Sequence, residues 1–201
     1  MHLKIDLLRH GESELSHTLR GSLDDALTAK GWQQMLSSID QSQTLPQQWD
    51  VVFSSPLQRC SMFAEHCVKE RDIPLILDKN LQEMHFGDWE GQSIQQLYEQ
   101  FPGTLADFWQ KPTQTTLPNA ETMHQFHLRV STAMSNIQQL MQLNGWQSAL
   151  VITHGGVIKL LKCMVLQQPL DDVLKMTAEL GQLSSFRWDT LTQTLALQEL
   201  V

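Results

Sequence analysis

Six short apolar runs punctuate the chain, each bounded by charged or turn-forming residues. They cover Leu3 to Leu8, Asp50 to Ser54, Leu75 to Leu77, Ala149 to Thr153, Ser184 to Trp188 and Thr194 to Leu197. Runs of this length predict buried strands, the last two joined as a hairpin around Asp189-Thr190. Between them the period lengthens. Leu27, Met35, Leu36 and Ile39 fall at roughly helical spacing and predict a helix over Thr28 to Ser38. Pro56 to Lys69 predicts a second, with the proline in its first turn. Met123, Phe126, Val130, Met134, Ile137 and Met141 advance in steps of three and four, predicting one amphipathic helix over about 120–143 with Asn119 as N-cap. Gly156 to Met164 predicts a further helix. Alternation of strand and helix points to an α/β fold with a mainly parallel sheet. The stretch 82–118 breaks the pattern. It holds Gly87, Gly91, Pro102, Gly103, Pro112 and Pro118, and reads as a cap-like insertion of short helices and loops in one 1–201 domain.

Composition narrows the picture. The 201 residues are 41% hydrophobic and 18% charged, ordinary for a globular chain. A formal charge of −8 argues against a nucleic-acid or anionic-membrane surface, while leaving room for a small cationic pocket. Three cysteines without a CxxC motif read as buried thiols in a reducing, cytoplasmic setting. No apolar stretch approaches the length of a bilayer span, and charges interrupt the N-terminal run too early for a signal peptide.

The chemistry gathers where apolar runs stop. One ends in Arg9-His10-Gly11, another in Ser54-Ser55-Pro56 with Arg59 a turn further on, and a third in His154-Gly155-Gly156. In open α/β sheets ligands bind beyond the carboxyl ends of strands, so these groups would share one rim. Two guanidiniums match phosphate oxygens, and glycines opening a helix let its free N–H groups approach an anion. Nearby arginines disfavour an imidazolium, leaving a ring nitrogen able to attack phosphorus. A lone histidine is more often a surface or core residue, and His2, His17, His66, His85, His124 and His127 fit that description. His10 and His154 differ because each follows a strand-like run and precedes glycine. Glu83, Asp88 and Glu90 are candidates for a general acid. Glu83 lies nearest the end of the third strand, whereas Asp88 and Glu90 suit solvated or capping positions. Trp89, Phe101, Phe108 and Trp109 suit the core of the cap or a stacking surface for an aromatic base.

LLRHGES, SSPLQRC at 54–60, EMHFGDWEG at 83–91 and THGG at 153–156, in that order, resemble the histidine phosphatase superfamily in its phosphoglycerate mutase-like branch. The likeness spans essentially the whole chain. It implies a three-layer fold with helices on both faces of the sheet. It implies His10 as the nucleophile that becomes phosphohistidine, Arg9, Arg59 and His154 as holders of the phosphoryl oxygens, and Glu83 as proton donor and then acceptor. The substrate is then a small-molecule phosphomonoester, with no metal and no cofactor required. Within the superfamily, NLQEMHFGDWE and the short chain resemble the α-ribazole-5′-phosphate phosphatases of cobalamin biosynthesis. That likeness makes Glu121, ahead of the long helix, a substrate-binding candidate alongside Ser16, Arg20, Gly21 and Gly155. The chain departs from the family at Ser16, where asparagine is common, at Arg20, near a usual small hydroxyl residue, and at Ala26, where proline is usual. The departures bear on the substrate. A broad sugar-phosphate phosphatase, a phosphoglycerate mutase and a non-enzymatic phosphoester-binding module remain the rival readings.

Overall fold

Side chains alternate across a strand, so a run of consecutive apolar residues serves two buried faces at once. The computed structural model, which describes residues 2–42, 49–192 and 194–198, shows this arrangement. β1 (His2–Arg9), β2 (Val51–Ser54), β3 (Leu75–Leu77), β4 (Ser148–Thr153), β5 (Leu183–Asp189) and β6 (Thr194–Leu197) form one sheet in the order β3-β2-β4-β1-β5-β6. β3, β2, β4 and β1 are parallel; β5 runs antiparallel to β1, and β6 to β5. On one face Ile5, Leu7, Val51, Phe53, Ala149 and Val151 pack with α5 (Met123–Asn144) and α6 (Gly155–Val165). On the other, Leu8, Val52, Leu150 and Ile152 pack with α1 (Ala29–Ser42) and α2 (Gln58–Arg71). Neighbouring residues in β2 and β4 therefore enter opposite cores, and the sheet carries helices on both sides.

All six expected strands form, no boundary shifted by more than one residue. Two helix starts differ from expectation. Asn119 is not the cap of α5. Thr122 is, its hydroxyl accepting from the Gln125 N–H while the Gln125 side chain accepts from the Thr122 N–H. Thr-x-x-Gln is a capping box, and the reciprocal pair outcompetes a lone asparagine three residues earlier. Asn119 instead turns the chain at φ 56° and donates to Asp88. Pro56 likewise lies outside α2, which begins at Gln58 after Leu57. Leucine cannot cap, so the carboxylate of Asp24 accepts the Gln58 N–H at 2.7 Å from a loop more than thirty residues away.

Residues 82–118 contain a 3₁₀ turn at Gly87–Trp89, α3 (Ile94–Gln100) and α4 (Pro102–Gln110). α3 begins with a Ser93–Gln96 capping box and α4 with its proline in the first turn. Their apolar residues Leu97, Leu105 and Phe108 join the same core as α5 and α6. Another 3₁₀ turn, at Lys79–Leu81, precedes this stretch, and a third, Leu170–Lys175, follows α6 without a counterpart in the sequence pattern. Asp171 fixes it to the end of the 82–118 stretch by accepting the N–H and hydroxyl of Thr113.

Candidate active site

Sheet register brings the polar run ends together. Arg9 at the end of β1 lies opposite Thr153 at the end of β4, and Ser54 at the end of β2 lies opposite Ile152. The residue after β1 is therefore His10, and the residue after β4 is His154. Their ring centroids are 5.2 Å apart in an edge-to-face arrangement. Gly11 follows His10 because the chain passes directly against Gly31 of α1; a Cβ there would lie 2.1 Å from the Gly31 carbonyl oxygen.

His10 is almost fully buried and lines a cavity of about 270 Å³. Its Nδ1 lies 2.7 Å from the Gly11 carbonyl oxygen. A carbonyl can only accept, so Nδ1 carries the proton and Nε2 holds a free lone pair. Burial, then the Arg59 guanidinium, holds the imidazole well below the ordinary histidine range, and the ring is neutral near pH 7. The same causes act on His154, whose Nδ1 accepts from Arg59 Nε at 3.3 Å. Its protonated Nε2 is thereby left to donate to Ser55 Oγ at 2.8 Å. Cys60 Sγ lies 3.6 Å from the same nitrogen; burial pushes its thiol up to about 12, and it stays a packing group.

The arginines occupy distinct positions. Arg59 is fully buried. It donates to His154, to the carbonyls of Gly21 and Leu23, and to Asp25 at 3.0 Å, forming a closed ion pair behind the two histidines. Arg9 lines the cavity, donates to the Ala178 carbonyl, and has a buried Nε without a partner among the described residues. Arg20 lines the cavity too. It donates to the Leu15 carbonyl at 3.0 Å and to Ser16 Oγ at 3.3 Å, with Asp25 Oδ1 3.6 Å from its Nε. Burial lowers both guanidiniums from their ordinary range, a cost the protein sustains to present cations inside a cavity.

Glu83 faces them at the start of α6. Its carboxylate accepts the Gly156 N–H at 2.9 Å and the Met84 N–H at 3.0 Å. A Cβ on Gly156 would lie 2.2 Å from Glu83 Oε1, so only glycine leaves the carboxylate room. Gly155 makes the same allowance for the Arg9 guanidinium, 3.0 Å from where its Cβ would be. Arg9, His10, Glu83, Ser16, Arg20 and Gly155 all border the one cavity, with His154 and Arg59 directly behind it.

Two residues expected near the substrate lie elsewhere. Gly21 supplies a carbonyl to Arg59 and passes against the Met84 carbonyl, where a Cβ would sit 1.9 Å away. Glu121 is held in a bidentate pair by Arg129, at 2.6 and 2.8 Å, outside the cavity lining. Glu90, read as a loop residue, joins two loops by accepting from Ser22, Leu23 and Phe86. Asp25, Arg129 and Lys159 were not singled out by the sequence. Lys159 had a signal: it falls one turn beyond Gly155 on the same helix face, and it lines the cavity half-buried. Burial, with Arg9 nearby, lowers its ammonium from the ordinary range. Of the aromatics, Trp109 lines the cavity together with Phe86, whereas Phe108 is buried and Trp89 stacks on Phe101 at 5.8 Å.

The fold and the site together define an α/β protein with an unprotonated imidazole beside a cavity lined by cations. The chain belongs to the histidine phosphatase superfamily (branch 1), whose pattern matches residues 5–199. That membership supports a phosphatase activity of the histidine-phosphatase type. The chain is 29% identical over 187 residues to the adenosylcobalamin/α-ribazole phosphatase of Salmonella typhimurium, covering 89% of this chain and 87% of that protein. It is 26% identical over 161 residues to a 2,3-bisphosphoglycerate-dependent phosphoglycerate mutase of Bartonella quintana, covering 77% of each. The crystal structure of the α-ribazole phosphatase from Shigella flexneri superposes with a TM-score of 0.80 at 24% identity, covering 98% of this chain and 96% of that one, and so shares the fold. No helix among the described residues is long and apolar enough to cross a membrane.

Proposed function

We propose that this protein hydrolyses small-molecule phosphomonoesters through a phosphohistidine at His10. The observation that carries this reading is the fixed tautomer: the Gly11 carbonyl holds the proton on Nδ1 and leaves the Nε2 lone pair in a cavity lined by cations. Nε2 attacks phosphorus in line with the ester oxygen. The P–O bond breaks as Glu83 gives that oxygen a proton. Water then attacks the phosphohistidine, Glu83 takes the water's proton back, and the P–N bond opens to release phosphate and neutral His10. Arg9 and Arg20 offset charge on the equatorial oxygens. Arg59 and His154, which do not line the cavity, keep the ring of His10 neutral from behind rather than holding the phosphoryl oxygens directly.

Among substrates, α-ribazole 5′-phosphate is the first candidate. It is supported by the names of two relatives at 27% and 29% identity and by the Phe86 and Trp109 walls, which suit a flat aromatic base on the leaving group. The test compares turnover of α-ribazole 5′-phosphate with a panel of sugar phosphates and phosphoglycerates, and follows a ³²P-labelled substrate onto the protein. Preference for α-ribazole 5′-phosphate and an acid-labile, base-stable label lost in His10→Ala are the expected results. Equal slow rates across the panel would remove the α-ribazole assignment. Migration of phosphate on a phosphoglycerate without release would make the protein a mutase, and turnover retained by His10→Ala would remove the covalent route.

A further inference from the structure

Glu83 has no regular element to hold it. It lies in the coil between a 3₁₀ turn at Lys79–Leu81 and the turn at Gly87–Trp89. A general acid must stand within hydrogen-bond reach of one oxygen, so something must fix this coil against α6. Its side chain touches α6 through the Gly156 N–H, but that bond depends on where the backbone of residue 83 lies.

Arg129, on α5, sets that position. Its Nη1 donates to the carbonyls of Asn80 and Gln82, at 3.0 and 2.8 Å, and its Nη2 donates to the carbonyl of Glu83 itself at 2.8 Å. The remaining Nη2 hydrogen and Nε–H form the bidentate pair with Glu121. All five N–H groups of the guanidinium are thereby used, each on a different lone pair. Three carbonyl oxygens converging on one point repel one another unless a cation sits between them. Glu121 neutralises that cation, and it adds a second tie: its N–H donates to the His85 carbonyl, and its Oε2 accepts the His85 N–H. Residues 80–85 are thus clamped from both sides of Glu83. The stack of Arg129 on the Phe126 ring, 4.8 Å from guanidinium carbon to centroid, fixes the clamp to the helix.

We propose that Arg129 and Glu121 form a positioning clamp that aims the Glu83 carboxyl at the leaving-group oxygen, so that α5, which supplies no atom to the cavity lining, controls the proton-transfer step. This rests on the phosphohistidine reading of the site. The clamp acts through Glu83, on protonation of the leaving group and on deprotonation of the attacking water, and leaves nucleophilic attack and phosphate binding alone; kcat/KM reads only the first transfer, so there its loss has a signature that general damage lacks. p-Nitrophenolate departs as an anion and needs no acid; a sugar alkoxide does.

The experiment measures kcat and KM of wild type, Arg129→Ala, Arg129→Lys, Glu121→Gln and Glu83→Gln on p-nitrophenyl phosphate and on ribose 5-phosphate. Arg129→Ala is expected to lose on the order of 10²-fold in kcat/KM on ribose 5-phosphate, the lower range for loss of a general acid, and less than about tenfold in kcat/KM on p-nitrophenyl phosphate. Glu83→Gln shows the same bias more strongly. Arg129→Lys lies between, because an ammonium has three donors and cannot serve five acceptors. Glu121→Gln repeats the bias more weakly and keeps the falsification open if Arg129→Ala does not fold. Equal losses of kcat/KM on both esters, or none on either, overturn the clamp while leaving the phosphohistidine reading standing. Failure of wild type to hydrolyse p-nitrophenyl phosphate removes that reading, and the clamp with it.

Discussion

At the residue scale, the site depends on keeping two imidazoles neutral. Burial and the Arg59 charge hold both His10 and His154 well below the ordinary histidine range, so neither ring titrates near neutrality in the native protein. Unfolding returns them to about 6.5. Below that pH the denatured chain binds more protons than the native one, so stability is full above about pH 6.5 and falls as pH drops. The slope is about 1.4 kcal/mol per pH unit for each histidine until the native rings themselves protonate. Urea denaturation at pH 7.5 and pH 5.5 measures the loss, and histidine C2–H chemical shifts assign it. The His10 and His154 signals should stay flat from pH 8 to pH 6. A His10 signal with a midpoint near 6.5 contradicts the neutral nucleophile. The residues that do this work were legible in unequal degree. His10 and His154 stand at the ends of strand runs, and Gly11, Gly155 and Gly156 mark close approaches. Asp25 and Arg129 were not legible, because a salt-bridge partner and a carbonyl clamp are defined by chain segments more than thirty residues away in sequence.

At the element scale, α6 does two jobs that pull its first turn in opposite directions. A helix start is stabilised by side chains with helix propensity, yet the site needs bare backbone there for Glu83 and Arg9. Gly156→Ala therefore tests the trade directly. The added methyl displaces the Glu83 carboxylate, the movable end of a side chain, so the protein folds with a melting temperature within a few degrees of wild type. Its turnover of ribose 5-phosphate falls on the order of 10²-fold, the range for loss of a general acid. Gly103→Ala in α4 is the control: nothing lies within 4 Å of its Cβ, and the change stabilises by up to about 1 kcal/mol with activity unchanged. Paired thermal melts and kinetics separate the two. A Gly156→Ala enzyme with normal turnover would show that the carboxylate does not need the position it occupies. Element types were legible wherever a periodic pattern ran long, as in α5, or wherever an apolar run filled both faces of the sheet, as in β2 and β4. Element starts were less so. The capping box at Thr122 was written in the sequence and passed over for Asn119, while the cap of α2 comes from Asp24 across space and has no local signal.

At the scale of the whole molecule, a chain of formal charge −8 keeps three cations, Arg9, Arg20 and Lys159, around one cavity with Glu83 as the carboxylate among them. All three are lowered from their ordinary ranges by burial, so the native state stores an electrostatic cost that an anion relieves. The net negative charge disfavours anions over the exterior as a whole, so an anion is expected to gain most where the cost is held. Inorganic phosphate is expected to bind the native cavity and not the unfolded chain, and so to raise stability by mass action: about 2.7 kcal/mol at a hundred times its dissociation constant. For a chain of this size that corresponds to a rise of roughly 5–10 °C in melting temperature. Chloride at matched ionic strength should give no comparable rise, because it screens the whole surface and has neither the charge of phosphate nor its tetrahedral set of oxygens. Arg20→Gln should reduce the phosphate effect without lowering the melting temperature of the free protein, since the burial of this cation and its repulsion by Arg59 and Arg9 together outweigh its attraction to Asp25 and Glu83. Equal shifts with chloride and phosphate, or an undiminished shift in Arg20→Gln, would separate the cationic cavity from phosphate recognition and leave His10 without the anion it is placed to attack.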